Sequence, residues 1–205
     1  MLKKIKKVLL PHWTDLWSEI ICFDEKTKVL HLGCGNSKIQ NTISVDINSK
    51  ANPDIVWDLN NVPWPIEDNK FDRIIALNVI EHLNDTLKSL KEIYRVSKNN
   101  AIINILVPHF SSGAAFVDPT HKSYFSYRTF DYFIKGKDLE NEYGFYDDMR
   151  FKQKKYYIQI SPFWRFVPFV LFFVRKFPKL WEDYLCYIIR GEGIFFQLEV
   201  KKNNL

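Results

Sequence analysis

Cysteine is sparse in this sequence: Cys22, Cys34 and Cys186 make an odd number among 205 residues, with no paired spacing. A disulfide framework and a zinc knuckle are not readable from such a set, and a reducing cytoplasm is the compartment that fits. Long apolar runs are missing as well. The stretch from Phe166 to Val174 counts nine residues between Arg165 and Arg175 and contains Pro168, whereas crossing a bilayer takes roughly 20. No secretion signal is read near Met1, because only Val8, Leu9 and Leu10 separate the first lysines from Pro11, and Asp15 and Glu19 follow soon after. Repeats and low-complexity linkers are absent, so one globular domain over residues 1–205 is expected, 46% apolar and large enough to bury a core.

What is plentiful is unevenly placed. The formal net charge is +5, yet Lys3, Lys4, Lys6 and Lys7 and a surplus of three cations in residues 156–205 leave the rest of the chain at −2. A basic nucleic-acid surface in the middle is therefore excluded. Aromatic residues number 33, and the span from Tyr156 to Tyr187 holds twelve of them. A basic and aromatic helical segment is expected over residues 1–27.

Short β-type runs occur at 28–32, 43–47, 55–59, 73–79 and 101–107, continuous in polarity as parallel strands covered on both faces would be. Between the fourth and fifth, Leu83, Leu87, Leu90, Ile93 and Tyr94 recur at helical spacing behind the capping candidates Asn84 and Asp85. The pattern predicts an α/β fold: a Rossmann-like, mostly parallel sheet with an antiparallel last strand and helices on both faces. Runs at 155–160 and 195–201 close the sheet, and Ser126 is expected to cap a helix over 127–135 that stops at Gly136. An aromatic helical insertion at 161–190 precedes the last strand.

The first strand runs into Gly33-Cys34-Gly35, where a ligand can approach the backbone. Position 38 is Lys38, so the third glycine of a dinucleotide fingerprint is missing. The second strand ends in Asp46, placed to accept hydrogen bonds from two vicinal ribose hydroxyls. The third ends in Asp58, able to accept from an exocyclic amine. The fourth ends in Asn78-Val79-Ile80-Glu81-His82-Leu83. Taken in order, Leu30 to Gly35, Ser44 to Ile47, Asp54 to Asn60 and Phe71 to Leu83 resemble the motifs of class I S-adenosylmethionine-dependent methyltransferases, notably small bacterial ones associated with glycan or lipid-linked sugar pathways. The resemblance covers about residues 28–108. It implies that Gly33 and Gly35 lie against the methionine and ribose of S-adenosylmethionine and that Asp46 holds the ribose hydroxyls. It also implies that Asp58 and the Leu59 amide read adenine, that Ile80 and Leu59 sandwich the ring, and that Asn78 sits near the methionine end. S-adenosylhomocysteine would be the product. One departure stands out: only eleven positions separate Gly35 from Asp46, so the first crossover helix has two turns at most.

Beyond the fifth strand, residues 108–113 and 117–126 form a polar, aromatic stretch with two of the five histidines. His109, His121 and Asp118 are the candidates for acceptor-side chemistry, His121 either as a general base or as the hydrogen-bond partner of Asp118. A metal set of Asp118, His121 and His109 matches no known ligand spacing, and none is assigned. His82 is read as a cofactor-edge or capping residue. The reading is methyl transfer to an oxygen or nitrogen of a small-molecule, sugar or lipid-linked glycan acceptor. An RNA or protein methyltransferase and a non-catalytic cofactor-binding scaffold are the alternatives. Residues 161–190 are read as a packed helical hairpin or homodimer contact, or else as a face on an anionic membrane, which would make the protein peripheral on the inner surface.

Overall fold

The computed structural model describes Ile20, residues 22–165 and residues 167–202. Seven strands form one sheet: β1 (Val29–Leu32), β2 (Ile43–Asp46), β3 (Ile55–Val56), β4 (Phe71–Leu77), β5 (Ser97–Pro108), β6 (Phe151–Ile160) and β7 (Gly191–Val200). Their order is β3-β2-β1-β4-β5-β7-β6. The first five pair in parallel, β7 runs antiparallel to β5, and β6 runs antiparallel to β7. From β1 the chain steps outward to β2 and β3, then returns to β4 on the other side of β1. That reversal opens a crevice at the carboxyl ends of β1 and β4, where open α/β sheets bind ligands.

Alternate residues of the central strands feed two apolar clusters. Leu30, Leu32, Ile74, Ala76, Ile103, Ile105, Phe196 and Leu198 point to the larger one. Helix α1 (Thr86–Val96) covers it with Leu90, Ile93 and Val96, and starts where the Asp85 carboxylate accepts from the Lys88 amide at 2.9 Å. Leu87, one of the expected core positions, is 37% exposed. On the opposite face Val29, Ile75, Leu106 and Phe195 pack with Ile20, Phe23 and Ile39. Residues 1–19, the bulk of the expected basic N-terminal segment, lie outside the described residues.

The first crossover is even shorter than its spacing suggested: residues 33–42 form turns and contain no helix. The helix expected over 127–135 is also replaced, by successive turns and one 3-10 turn at Asp131–Phe133. Thr129 and four aromatic residues give that stretch little helical preference, and Phe125, Phe130 and Ile134 are buried as separate anchors. The third strand shrinks to two residues because Asp58 turns the chain, its Oδ1 accepting from the Asn60 amide and side chain at 2.9 Å each.

Short helices α2 (Ala114–Val117) and α3 (Asp138–Tyr143) lie between β5 and β6. Between β6 and β7 stand α4 (Pro162–Arg165), α5 (Pro168–Lys176) and α6 (Pro178–Tyr184), the last two with proline in the first turn, where its missing N–H costs nothing. Leu171, Val174, Trp181 and Cys186 join the larger core, each aliphatic side chain contributing roughly 1.5–3 kcal/mol. Register pairs Ile160 with Gly191 and Pro108 with Gly193. The insertion therefore emerges at the carboxyl edge of the parallel strands, beside the crevice.

Candidate functional site

Gly33 and Gly35 both take left-handed backbone angles, φ +59° and +47°. A Cβ on Gly33 would stand 2.4 Å from a methyl of Val79, so β1 and the end of β4 meet only because no side chain intervenes. The Gly35 amide donates to Asp46 Oδ2 at 2.7 Å and the Asn48 amide to Oδ1 at 2.8 Å. Each carboxylate oxygen keeps a lone pair for a further donor. Two backbone bonds gather the strand ends, from Cys34 N to the Val45 carbonyl at 3.3 Å and from Trp57 N to the Asp46 carbonyl at 2.9 Å. Below them Asp54 accepts from the Ser44 hydroxyl at 2.6 Å, the Ser44 amide at 2.8 Å and Lys38 Nζ at 2.9 Å. Led by the hydroxyl bond, these contacts hold its carboxyl down at about 2. Next to Asp46, Ile47 is 67% exposed, an aliphatic surface at a strand end that the motif reading passed over.

Asn78 also adopts a left-handed angle, φ +50°, tolerated by asparagine, and its amide donates to the Leu106 carbonyl at 2.8 Å. Its side chain is exposed at the mouth of the crevice. Leu59 and Ile80 differ from the expected ring sandwich. Their side chains are 5% and 1% exposed and belong to the larger core, so neither offers a face to a ligand. Trp64 pins this loop, its indole N–H donating to the Leu59 carbonyl at 3.1 Å, and Asn60 Oδ1 accepts from the Asn84 amide at 2.8 Å.

The three acceptor-side candidates separate. His109 is fully buried. Its Nδ1 accepts from the Ser111 amide at 3.0 Å and its Nε2 donates to Glu182 Oε1 at 3.0 Å. Its ring lies 5.0 Å from that of Trp181 and 2.6 Å from a Cβ placed on Gly191. With both nitrogens spent and no solvent path, His109 fastens α6 to the end of β5 and is no accessible base. Nor does it join Asp118 and His121 in a metal set.

His121 and Asp118 do converge, on partners from the end of β4. The His121 ring meets that of His82 edge-on at 4.6 Å. His121 Nδ1 donates to the Ala115 carbonyl at 3.0 Å. His82 Nδ1 pairs with Thr120 Oγ1 at 2.8 Å, and that hydroxyl donates to Asp118 Oδ1 at 2.6 Å. Asp118 thus reaches histidine through Thr120, and the histidine it orients is His82. Glu81 lies beside them, 1% exposed, and neither carboxylate oxygen receives a hydrogen bond from another described residue. Burial pushes its carboxyl up to about 7. The Glu81 carbonyl accepts from the amides of Lys122 at 2.7 Å and Ser123 at 3.2 Å, clamping the acceptor loop onto β4. The dipeptide Glu81-His82 was visible in the sequence, but its pairing with His121 depends on a contact 39 positions away and had no local signal.

This sheet order, with a glycine turn and acids at successive strand ends, defines a class of protein: the Rossmann-like methyltransferase fold. Residues 30–105, a little over a third of the chain, match the family model described as a methyltransferase domain. An uncharacterised protein of Methanocaldococcus jannaschii is 27% identical over 147 residues, 70% of this chain; the match spans 59% of that relative's length. Among solved structures, a SAM-dependent methyltransferase from Archaeoglobus fulgidus superposes with a TM-score of 0.57 at 18% identity, covering 97% of this chain and 94% of that one. A methyltransferase of the same cofactor class from Mesorhizobium loti gives 0.54 at 10% identity, covering 93% and 99%. The 4+2 cyclase SpnF also gives 0.54, at 13% identity, covering 93% and 80%; likeness at this level shows the fold alone.

Proposed function

We propose that the chain binds S-adenosylmethionine in the crevice between β1 and β4 and transfers its methyl group to an oxygen or nitrogen of a small-molecule, sugar or lipid-linked glycan acceptor. The carrying observation is Asp46, drawn against the glycine turn by the 2.7 Å bond from the Gly35 amide while each of its oxygens retains a lone pair. Two vicinal ribose hydroxyls match that pair of acceptors. Ile47 supplies the apolar surface for the base that Ile80 and Leu59 do not, and Asp58, at the next strand end, accepts from its exocyclic amine. Methyl transfer from a sulfonium is an in-line displacement, so the protein's task is to hold acceptor and methyl together in a dry site. Residues 110–126 and the insertion stand on the edge where the acceptor would enter.

Isothermal titration with S-adenosylmethionine tests the binding step. Asp46→Ala is expected to weaken affinity by about 10-fold or more, the loss of one or two charge-assisted hydrogen bonds. Unchanged affinity in a folded variant would place the cofactor elsewhere. Labelled methyl transfer into membrane and soluble extracts then separates lipid-linked from soluble acceptors, and absence of transfer into either favours the non-catalytic scaffold.

The outer face of the insertion supports a membrane partner. Phe169, Tyr184 and Tyr187 are 84%, 73% and 77% exposed, and Lys176 Nζ lies 5.3 Å from the Phe172 ring. Aromatics beside a cation suit the headgroup region of an anionic bilayer. No helix among the described residues is long and apolar enough to cross a membrane.

A further inference from the structure

We infer that Glu81, His82 and His121 form a binding site for a divalent transition-metal ion of the zinc type. One ligand atom from each lies within 4.8 Å of the others. A tetrahedral ion at about 2.0–2.1 Å from its ligands wants them about 3.4 Å apart, so closure takes a shift of about 1 Å in side chains that two loops already hold together. Two imidazoles and one carboxylate are a borderline donor set, suited to zinc, cobalt or iron and unlike the all-oxygen shells of magnesium and calcium.

Three independent features support the assignment. Glu81 is almost fully buried with both oxygens unpartnered among the described residues, an arrangement that costs free energy unless a cation or a proton completes it. The outer nitrogens are already committed: His121 Nδ1 to the Ala115 carbonyl, His82 Nδ1 to Thr120 and through it to Asp118. Such contacts fix the tautomer with the lone pair on Nε2, as outer-shell partners do for metal-bound histidines. Both rings are partly exposed, which gives the ion an entry path. Three protein ligands also leave a coordination position open, the pattern of a reactive site and not of a structural one. The site stands on its own geometry and does not require the methyl-transfer reading; if both hold, His121 is a ligand and not the base, and the open position takes an acceptor oxygen.

Cobalt(II) titration of the metal-free full chain, followed by visible absorption, tests this without any activity. The expected result is one equivalent of cobalt with the intense bands of a low-coordinate ion, displaced by zinc. His82→Ala and His121→Ala should each lower affinity by more than the 10–100-fold that an outer-shell change costs, and Thr120→Val by about 10-fold. The two histidines sit on separate segments and are partly exposed, so a folding defect in one variant leaves the other to decide. Only the weak spectrum of the hydrated ion, or equal affinity in a folded histidine variant, would overturn the assignment. S-adenosylmethionine affinity measured on the same samples keeps the outcome for the cofactor site separate.

Discussion

His31 illustrates how much one side chain can cost. It sits on β1, 3% exposed, with Nδ1 lacking a partner among the described residues. Burial pushes its pKa down to about 4, against a smaller upward pull from Asp46. An unfolded chain binds a proton at His31 near pH 6.5, the folded one only near 4, so between those values unfolding takes up a proton. Stability is therefore full above about pH 6.5 and falls as pH drops toward 4, by about 3 kcal/mol for this residue. Urea midpoints of wild type and His31→Leu at pH 7, 5 and 4 check it: the gap should shift in the variant's favour at low pH, and a pH-independent gap sinks the account. Other residues were legible from position alone. Gly33, Gly35, Asp46 and Asp58 could be placed because strand ends in this fold are fixed by short local patterns. Burial was not legible in the same way: Ile80 and Leu59 look like ring-stacking candidates in the sequence and turn out to be core, because only the packing of α1 and Trp64 decides which way they point.

At the scale of elements, α6 depends on a single carboxylate. Glu182 accepts from His109 Nε2 at 3.0 Å, from the Ser126 hydroxyl at 2.6 Å and from the Tyr127 amide at 3.1 Å, joining three segments. Glu182→Ala leaves a buried imidazole N–H without its acceptor and should destabilise the fold by roughly 2–3 kcal/mol, seen as a lower urea midpoint and faster proteolysis within residues 162–190. Proteolysis at the wild-type rate would mean that the insertion is held by apolar packing alone. The sequence identified the insertion and its aromatic content, and it identified His109 as special. It could not show that His109 fastens α6, because a histidine that fastens and one that abstracts protons differ only in what surrounds them, here a glutamate 73 residues distant. The strands were legible by continuous polarity; the helix expected at 127–135 was not, since its aromatic anchors answer to separate pockets and not to one helical face.

For the whole molecule, charge and aromatic surface divide along the sheet. The β1–β4 half, near neutral in sequence, carries the glycine turn and the acids; the insertion carries Phe169, Phe172, Phe177, Tyr184, Tyr187 and Ile188 in the open. Flotation with vesicles containing anionic lipid should bring the protein to the top fraction at low salt and release it as salt rises, while Phe169→Ser with Tyr187→Ser should keep it at the bottom with S-adenosylmethionine affinity intact. Protein that stays at the bottom in both forms leaves the aromatic face to a protein contact. The reversed strand β7 has a wider consequence. Because it returns the chain against β5, anything spliced between β6 and β7 begins and finishes on the rim where the acceptor would arrive, whatever its length. A segment exchanged at this junction alters the rim alone, while the strand-end acids and the glycine turn, drawn from the other half of the sheet, keep their places.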